Sequence, residues 1–225
     1  NITHVSLLRA IAATGKPVYL STGASTLDEI KAAVEILHSG GSGEVTLFHC
    51  TVQYPADDEV LNLRSISTMQ DAFPGVSIGY SDHSQGALAA ATAVALGATV
   101  LEKHFTLDRD LPGPDHSFSA DPALFGEYVN TVRAAETMLG SPNKAPTAIE
   151  EGVRLNGRRY LTAMAEISAG EKIEQHMIRP RRIDATKVDP KTLLGPEIED
   201  AVIGASAARA IAAGTAITAA DIEGI

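Results

Sequence analysis

The 225-residue sequence has one cysteine and no tryptophan, and its remaining aromatics are five tyrosines and five phenylalanines. A lone Cys50 excludes an internal disulfide and a cysteine-rich zinc module, so a reducing, cytoplasmic setting is expected. Basic residues are the minority, 18 against 28 acidic ones. No lysine or arginine stripe could neutralise a run of phosphates, which argues against a nucleic-acid partner. Long hydrophobic runs are also lacking. Residues 84–101 carry no charge, but they are mostly alanine, glycine and threonine and gain little in lipid, so no membrane association is expected. No amino-terminal stretch has the order of a signal peptide.

What is present is an ordinary globular composition, 44% hydrophobic and 20% charged, long enough for a large and a small core. Up to about residue 140, β-branched runs alternate with amphipathic stretches, the pattern of a parallel sheet with crossover helices. Four runs read as strands covered on both faces: 17–21, 45–50, 76–81 and 98–105. Thr26 and Glu29 form a capping box ahead of Ile30, Ala33, Val34 and Leu37, with Gly40 and Gly41 as the stop. Asp121 and Pro122 start a second helix ending at Gly140, with Leu124, Phe125, Tyr128, Val129, Val132 and Met138 on one face. Gly97 divides the uncharged segment into a helix and a strand.

A polar, proline-containing connection begins at Ser141. Beyond it Ile167, Gly170, Ile173 and Ile178 recur as Ile211, Gly214, Ile217 and Ile222, a constant offset of 44 residues. Two such copies suggest a small pseudo-symmetric β-rich module. The expected division is therefore residues 1–140, a linker at 141–157, and a second domain at 158–225.

Functional groups of a parallel sheet gather at the carboxyl ends of its strands. Those ends carry Ser21, then His49 and Cys50 with Tyr54 beyond, then Ser81 and His83, then Glu102 and His104. Alternation puts Ser81 with His83 on one face, and Glu102 with His104 on one face. One histidine at a strand end would simply hydrogen-bond the backbone; two at neighbouring ends suit a first-row divalent ion with an open shell. His49 has the opposite parity and reads as structural. Ser21 and Ser81 could accept phosphate oxygens, or serve only as caps. Asp115, in the loop from Arg109 to Ser117, is either a solvated loop acid or a ligand-binding group.

The stretches Leu20 to Gly23, His49 to Thr51 with Tyr54-Pro55, Gly79 to His83, Glu102 to Thr106 and Pro112 to Asp115 resemble, in order and spacing, the sialic acid synthase family. The repeat-containing tail resembles that family's antifreeze-like SAF domain. The resemblance implies the carboxy-terminal part of a (β/α)8 TIM barrel joined to a small β-rich SAF (β-clip) domain. It also implies that Asn1 falls midway through the barrel and that phosphoenolpyruvate-holding residues of earlier strands lie outside the sequence, so this chain alone is expected to be inactive.

By that resemblance His83 and His104 are the protein ligands of Mn2+ or Mg2+, and Ser21 and Ser81 contact the phosphate of phosphoenolpyruvate. Tyr54, Asp115 and Arg179 bind the sugar, and Glu102 and Asp115 serve the reacting centre. The implied reaction joins C3 of phosphoenolpyruvate to the aldehyde carbon of N-acetylmannosamine or a related N-acetylated amino sugar, with water adding at C2 and phosphate leaving. A diacetamido sugar, giving a legionaminic or pseudaminic acid, is the alternative; a noncatalytic carbohydrate-binding scaffold is the rival of another class. Arg179 is expected to act across a domain-swapped homodimer, the linker reaching roughly 30 Å if extended. Val52 stands where many members carry a polar residue, and Arg181 and Arg182 replace a glycine-containing stretch.

Overall fold

Where β-branched runs alternate with amphipathic stretches, the computed structural model forms a parallel sheet; it describes residues 1–184, 188–189 and 191–225. The chain divides into two units, Asn1–Pro142 and Asn143–Ile225. In chain order the first holds α1 (Val5–Ala12), β1 (Val18–Ser21), α2 (Leu27–Ser39), β2 (Val45–Cys50), α3 (Ser65–Ala72), β3 (Ser77–Asp82), α4 (Leu88–Ala95), β4 (Leu101–Lys103) and α5 (Pro122–Leu139). The strands lie side by side in the order β1-β2-β3-β4, all parallel. Consecutive parallel neighbours, each reached through a helix, make a curled arc of a TIM barrel.

Helix α2 shows why the arc holds. Thr26 and Glu29 close a reciprocal capping box, with Thr26 N–H donating to Glu29 Oε2 at 2.7 Å. The apolar face predicted from the sequence, Ile30, Ala33, Val34 and Leu37, is buried. Gly40 ends the helix against α1, where an added Cβ would lie 2.5 Å from Ala12 Cβ. Helices α1 and α3 had no strong sequence signal; their N-caps are a histidine side chain and an uncapped arginine.

Two expectations need correcting. The fourth strand is Leu101–Lys103 rather than 98–105, because beyond Lys103 the backbone leaves β3 and bonds Ala120 instead, which accepts from Thr106 N–H and donates to His104 O at 2.9 Å each. Helix α5 has the predicted bounds but buries only Tyr128; Met138, assigned to its apolar face, is 79% exposed.

In the second unit, the stretch expected as linker contains α6 (Ala148–Gly157), followed by β5 (Tyr160–Ala163), β6 (Ile178–Arg181) and the short α7 (Glu199–Val202). Strands β5 and β6 are antiparallel. Ile167 and Ile211 exchange both backbone hydrogen bonds, at 3.0 and 2.8 Å. Around them the contacts recur at the 44-residue offset. Gly170 N–H donates to Ala207 O and Gly214 N–H to Ala163 O; Ile173 N–H donates to Ala205 O and Ile217 N–H to Leu161 O. The sequence repeat is thus a structural pseudo-dyad passing through the Ile167 and Ile211 pair. No helix among the described residues is long and apolar enough to cross a membrane.

Candidate active site

Register brings the predicted side chains together. Cys50 pairs with Ser81 and Ser81 with Glu102, so three neighbouring strands present these residues side by side on one face. Ser81, buried, donates its hydroxyl to Glu102 Oε1 at 2.8 Å. Two residues further along each strand, on the same face, stand His83 and His104. Their ring centroids are 5.2 Å apart and their planes nearly perpendicular.

His83 is oriented by the loop after β2. Its Nδ1–H donates to the Thr51 carbonyl at 2.7 Å and lies 3.8 Å from Cys50 Sγ, which leaves Nε2 as the free lone pair, 3.4 Å from Ser81 Oγ. Burial alone would lower the pKa of His83, but the Cys50 thiol, the Thr51 carbonyl and the charge of Asp82 outweigh it and raise the pKa. Cys50 responds in the opposite sense: burial disfavours its thiolate, yet hydrogen bonds from His83, Ser21 and Ser81 bring its pKa down. Ser21 at the end of β1 therefore belongs to the same constellation.

Tyr54 lies over His83 with centroids 4.1 Å apart and close to His104 at 5.6 Å. Burial, followed by the charges of Cys50, Asp115 and Glu102, raises its pKa. Asp115 places Oδ2 3.9 Å from His104 Nδ1. Phe118 completes the wall, 5.6 Å from Tyr54 and 5.3 Å from His104. Nothing in the sequence reading pointed to Phe118, to Cys50 as a thiol beside His83, or to the Thr51 carbonyl. The first lies in a 3-10 turn after a loop, and a backbone carbonyl leaves no trace in residue type. His49 faces the other way, bonded to Leu61 O at 2.7 Å and stacked on buried Tyr80.

Seven of the eight proposed residues thus lie in the first unit. Arg179 belongs to β6 of the second, exposed in a cleft with Glu174, His176 and Glu199. Another cleft of that unit, lined by Arg154, Arg158, Arg159 and Lys191 with Glu151 and Glu197, contains none of the eight.

The donor chemistry fits a divalent ion. A neutral imidazole whose other nitrogen is held by a backbone carbonyl is the usual arrangement of a metal-binding histidine, as His83 shows; Asp115 stands near His104, 3.9 Å away and without a hydrogen bond to it. Among the described residues no preassembled group of three or more His, Cys, Asp or Glu ligands exists. A two-histidine site leaves most of the shell to water and substrate oxygens, as an open catalytic site requires.

The profile of the NeuB family matches residues 1–144, and that of the SAF domain residues 158–223. The chain is 45% identical over 190 residues to Uncharacterized protein MJ1065 of Methanocaldococcus jannaschii, covering 83% of this chain and 56% of that protein. It is 35% identical over 226 residues to the N,N'-diacetyllegionaminic acid synthase of Legionella pneumophila, covering 99% and 61%. The crystal structure of an N-acetylneuraminic acid synthetase from Leptospira borgpetersenii superposes with a TM-score of 0.62 at 37% identity, covering 67% of this chain and 52% of that one. The chain therefore spans little more than half the length of these relatives.

Proposed function

Since the chain belongs to the NeuB family and carries a SAF domain after its NeuB segment, we propose that it contributes to the active site of a synthase condensing phosphoenolpyruvate with an N-acetylated amino sugar. The observation that carries this reading is the convergence of His83 and His104 above the Ser81 and Glu102 hydrogen bond. A divalent ion, Mn2+ or Mg2+, held by the two imidazoles supplies Lewis-acid polarisation of the sugar's aldehyde oxygen, commonly worth several kcal/mol.

The chain's own groups do the rest. Ser21 and Ser81 present hydroxyls to the phosphate of phosphoenolpyruvate; the Ser81 hydroxyl, which donates to Glu102 Oε1 in this structure, turns to the phosphate on binding and leaves the Glu102 carboxylate for a reacting proton. Tyr54 forms an aromatic wall for the sugar, and Asp115, 3.9 Å from His104, receives sugar hydroxyls. The bond formed is C3 of phosphoenolpyruvate to the aldehyde carbon; water adds at C2 and phosphate departs. Holding both substrates on one face contributes about 7 kcal/mol or more through proximity. Arg179 reads the N-acetyl group from a partner subunit of a homodimer, its planar fork matching an amide oxygen as lysine cannot. A reducing cytoplasm suits both the Cys50 thiol and the phosphoenolpyruvate pool.

The sugar is N-acetylmannosamine or a 2,4-diacetamido hexose, the second favoured by the similarity to the Legionella protein over 99% of the chain. Phosphate release from phosphoenolpyruvate in Mn2+, measured with each sugar on a protein that carries the whole barrel, decides between them. His83→Ala is expected to lower release about 100-fold or more. Sugar-dependent release that persists undiminished in that variant or in chelator removes the metal assignment; no release with any amino sugar favours a binding protein.

A further inference from the structure

One cluster of buried charge is used by none of these steps. Asp82 and Lys103 are the register pair of β3 and β4 immediately before the two histidines, and they point to the opposite face of the sheet. Their side chains are 0% and 7% exposed, with Lys103 Nζ 3.3 Å from Asp82 Oδ2. Asp82 Oδ1 accepts both the Ser84 N–H at 2.8 Å and the Ser84 hydroxyl at 2.6 Å. Lys103 Nζ in turn donates to the Ser84 carbonyl and sits 5.5 Å from the centroid of the Tyr128 ring on α5. The phenols of Tyr80 and Tyr128 are buried without good hydrogen-bond geometry, although burial and the nearby charge of Asp82 suppress their ionisation.

Such a pair is a poor way to stabilise a fold, because desolvating two charges offsets most of their attraction and apolar side chains of similar volume do as well. Its connections instead enclose His83. Asp82 precedes that residue, Ser84 follows it, and both are fastened to each other and to Lys103, whose next residue is His104. The backbone on either side of one imidazole is thus locked to the backbone beneath the other. We infer that Asp82, Lys103 and Ser84 are positioning residues, a buried charged clamp that sets the separation and orientation of His83 and His104 for a divalent cation. This rests on the metal reading above, and it assigns to the far side of the sheet the task of holding the site's geometry.

The test reads Mn2+ affinity in the protein from loss of the free-ion electron paramagnetic resonance signal, alongside thermal melting. His83→Ala first establishes that the imidazoles bind the ion. In the double variant Asp82→Asn/Lys103→Met, which neutralises both charges at similar volume, the fold is expected to persist while Kd for Mn2+ weakens about 10- to 100-fold, the usual cost of losing outer-shell support. Ser84→Ala keeps the ion pair and loses one bond to Asp82, so a smaller weakening is expected; it also decides the matter if the double variant does not fold. Wild-type affinity in a folded double variant, or in Ser84→Ala when only that variant folds, overturns the clamp and leaves the cluster a packing feature. Absence of Mn2+ binding in the unsubstituted protein is a different failure: it removes the metal reading, and the clamp's role with it.

Discussion

The two units bury different things. In the first, four consecutive polar residues, Ser81, Asp82, His83 and Ser84, are buried at the end of β3. The second has a core built from Leu161, Ile167, Ile173, Ile178, Ile211 and Ile217, with Thr162 and Asp221 its buried polar side chains among the described residues. Burying polar groups is costly unless each finds a partner, so a unit that concentrates them at one strand end has a use for them beyond stability. The second unit shows how little of that cost a small domain needs to bear when a repeat supplies its core. The contrast matches the proposed function, which puts the candidate catalytic groups on the first unit and Arg179 on the second.

The largest expected effect tests that division directly. Full-length subunits with the whole barrel that carry Arg179→Ala or His83→Ala, each expected to lose about 100-fold or more in phosphate release, should recover part of the activity when mixed and allowed to form heterodimers. One unsubstituted first unit then meets one unsubstituted Arg179 from the other chain. Verified heterodimers without recovery would place the whole site within one chain and end the domain-swapped reading.

Legibility divided along the same line. Nearly continuous apolar runs placed all four strands because parallel strands are covered on both faces, and parity alone put Ser81 with His83 and Glu102 with His104. The 44-residue repeat was visible because both copies keep isoleucine at the pseudo-dyad. The short β4 was not, since its end is set by a distant partner, Ala120, rather than by local propensity. Nor was the exposure of Met138, because a helical face says where apolar groups align but not how much neighbour they meet. Thr51 acts through its backbone and Phe118 through a loop, and neither leaves a periodic signal.

A second effect, in stability, sharpens the claim that the small unit rests on its pseudo-dyad. Ile167→Ala and Ile211→Ala each remove a side chain that is 1% and 4% exposed, respectively. Each is expected to cost about 2–5 kcal/mol, similar for the two positions, without changing Mn2+ affinity. Calorimetry and metal titration on the same samples check both halves. Unequal costs, or a coupled loss of metal binding, would break the symmetry or the separation of roles.

Smaller still is the acid sensitivity of the second unit. Buried Asp221 accepts from Arg209 Nε at 2.5 Å and closes a cap with Thr218. Burial raises its pKa, but the Thr218 and Arg209 hydrogen bonds prevail and lower it. A carboxylate with a depressed folded pKa contributes stability above the ordinary aspartate value of about 3.9, and that contribution is lost as pH falls through the folded pKa. Melting of the protein from pH 6 down to pH 2 should show this loss, and Asp221→Asn should flatten it while lowering stability near neutrality. An unchanged pH slope would assign the acid sensitivity to other carboxylates.

The smallest effect sets one capping box against another. Thr26 with Glu29 and Thr147 with Glu150 have the same geometry, each threonine N–H donating to the glutamate at 2.7 Å and each threonine hydroxyl accepting at 3.3 Å. What differs is the helix that follows. Helix α2 buries four apolar residues, whereas α6 leaves Ile149 87% and Val153 68% exposed. A cap is worth about 1 kcal/mol of global stability only if the helix it starts is coupled to the rest of the fold. A ten-residue helix whose Ile149 and Val153 are this exposed is marginal by itself. Thr26→Ala should therefore lower the unfolding free energy of its unit by about 1 kcal/mol. Thr147→Ala should leave Tm unchanged and show itself only as faster amide exchange across residues 148–157. Equal shifts in Tm from the two substitutions would mean that α6 is held by packing in solution, and that its exposed isoleucine and valine have a partner.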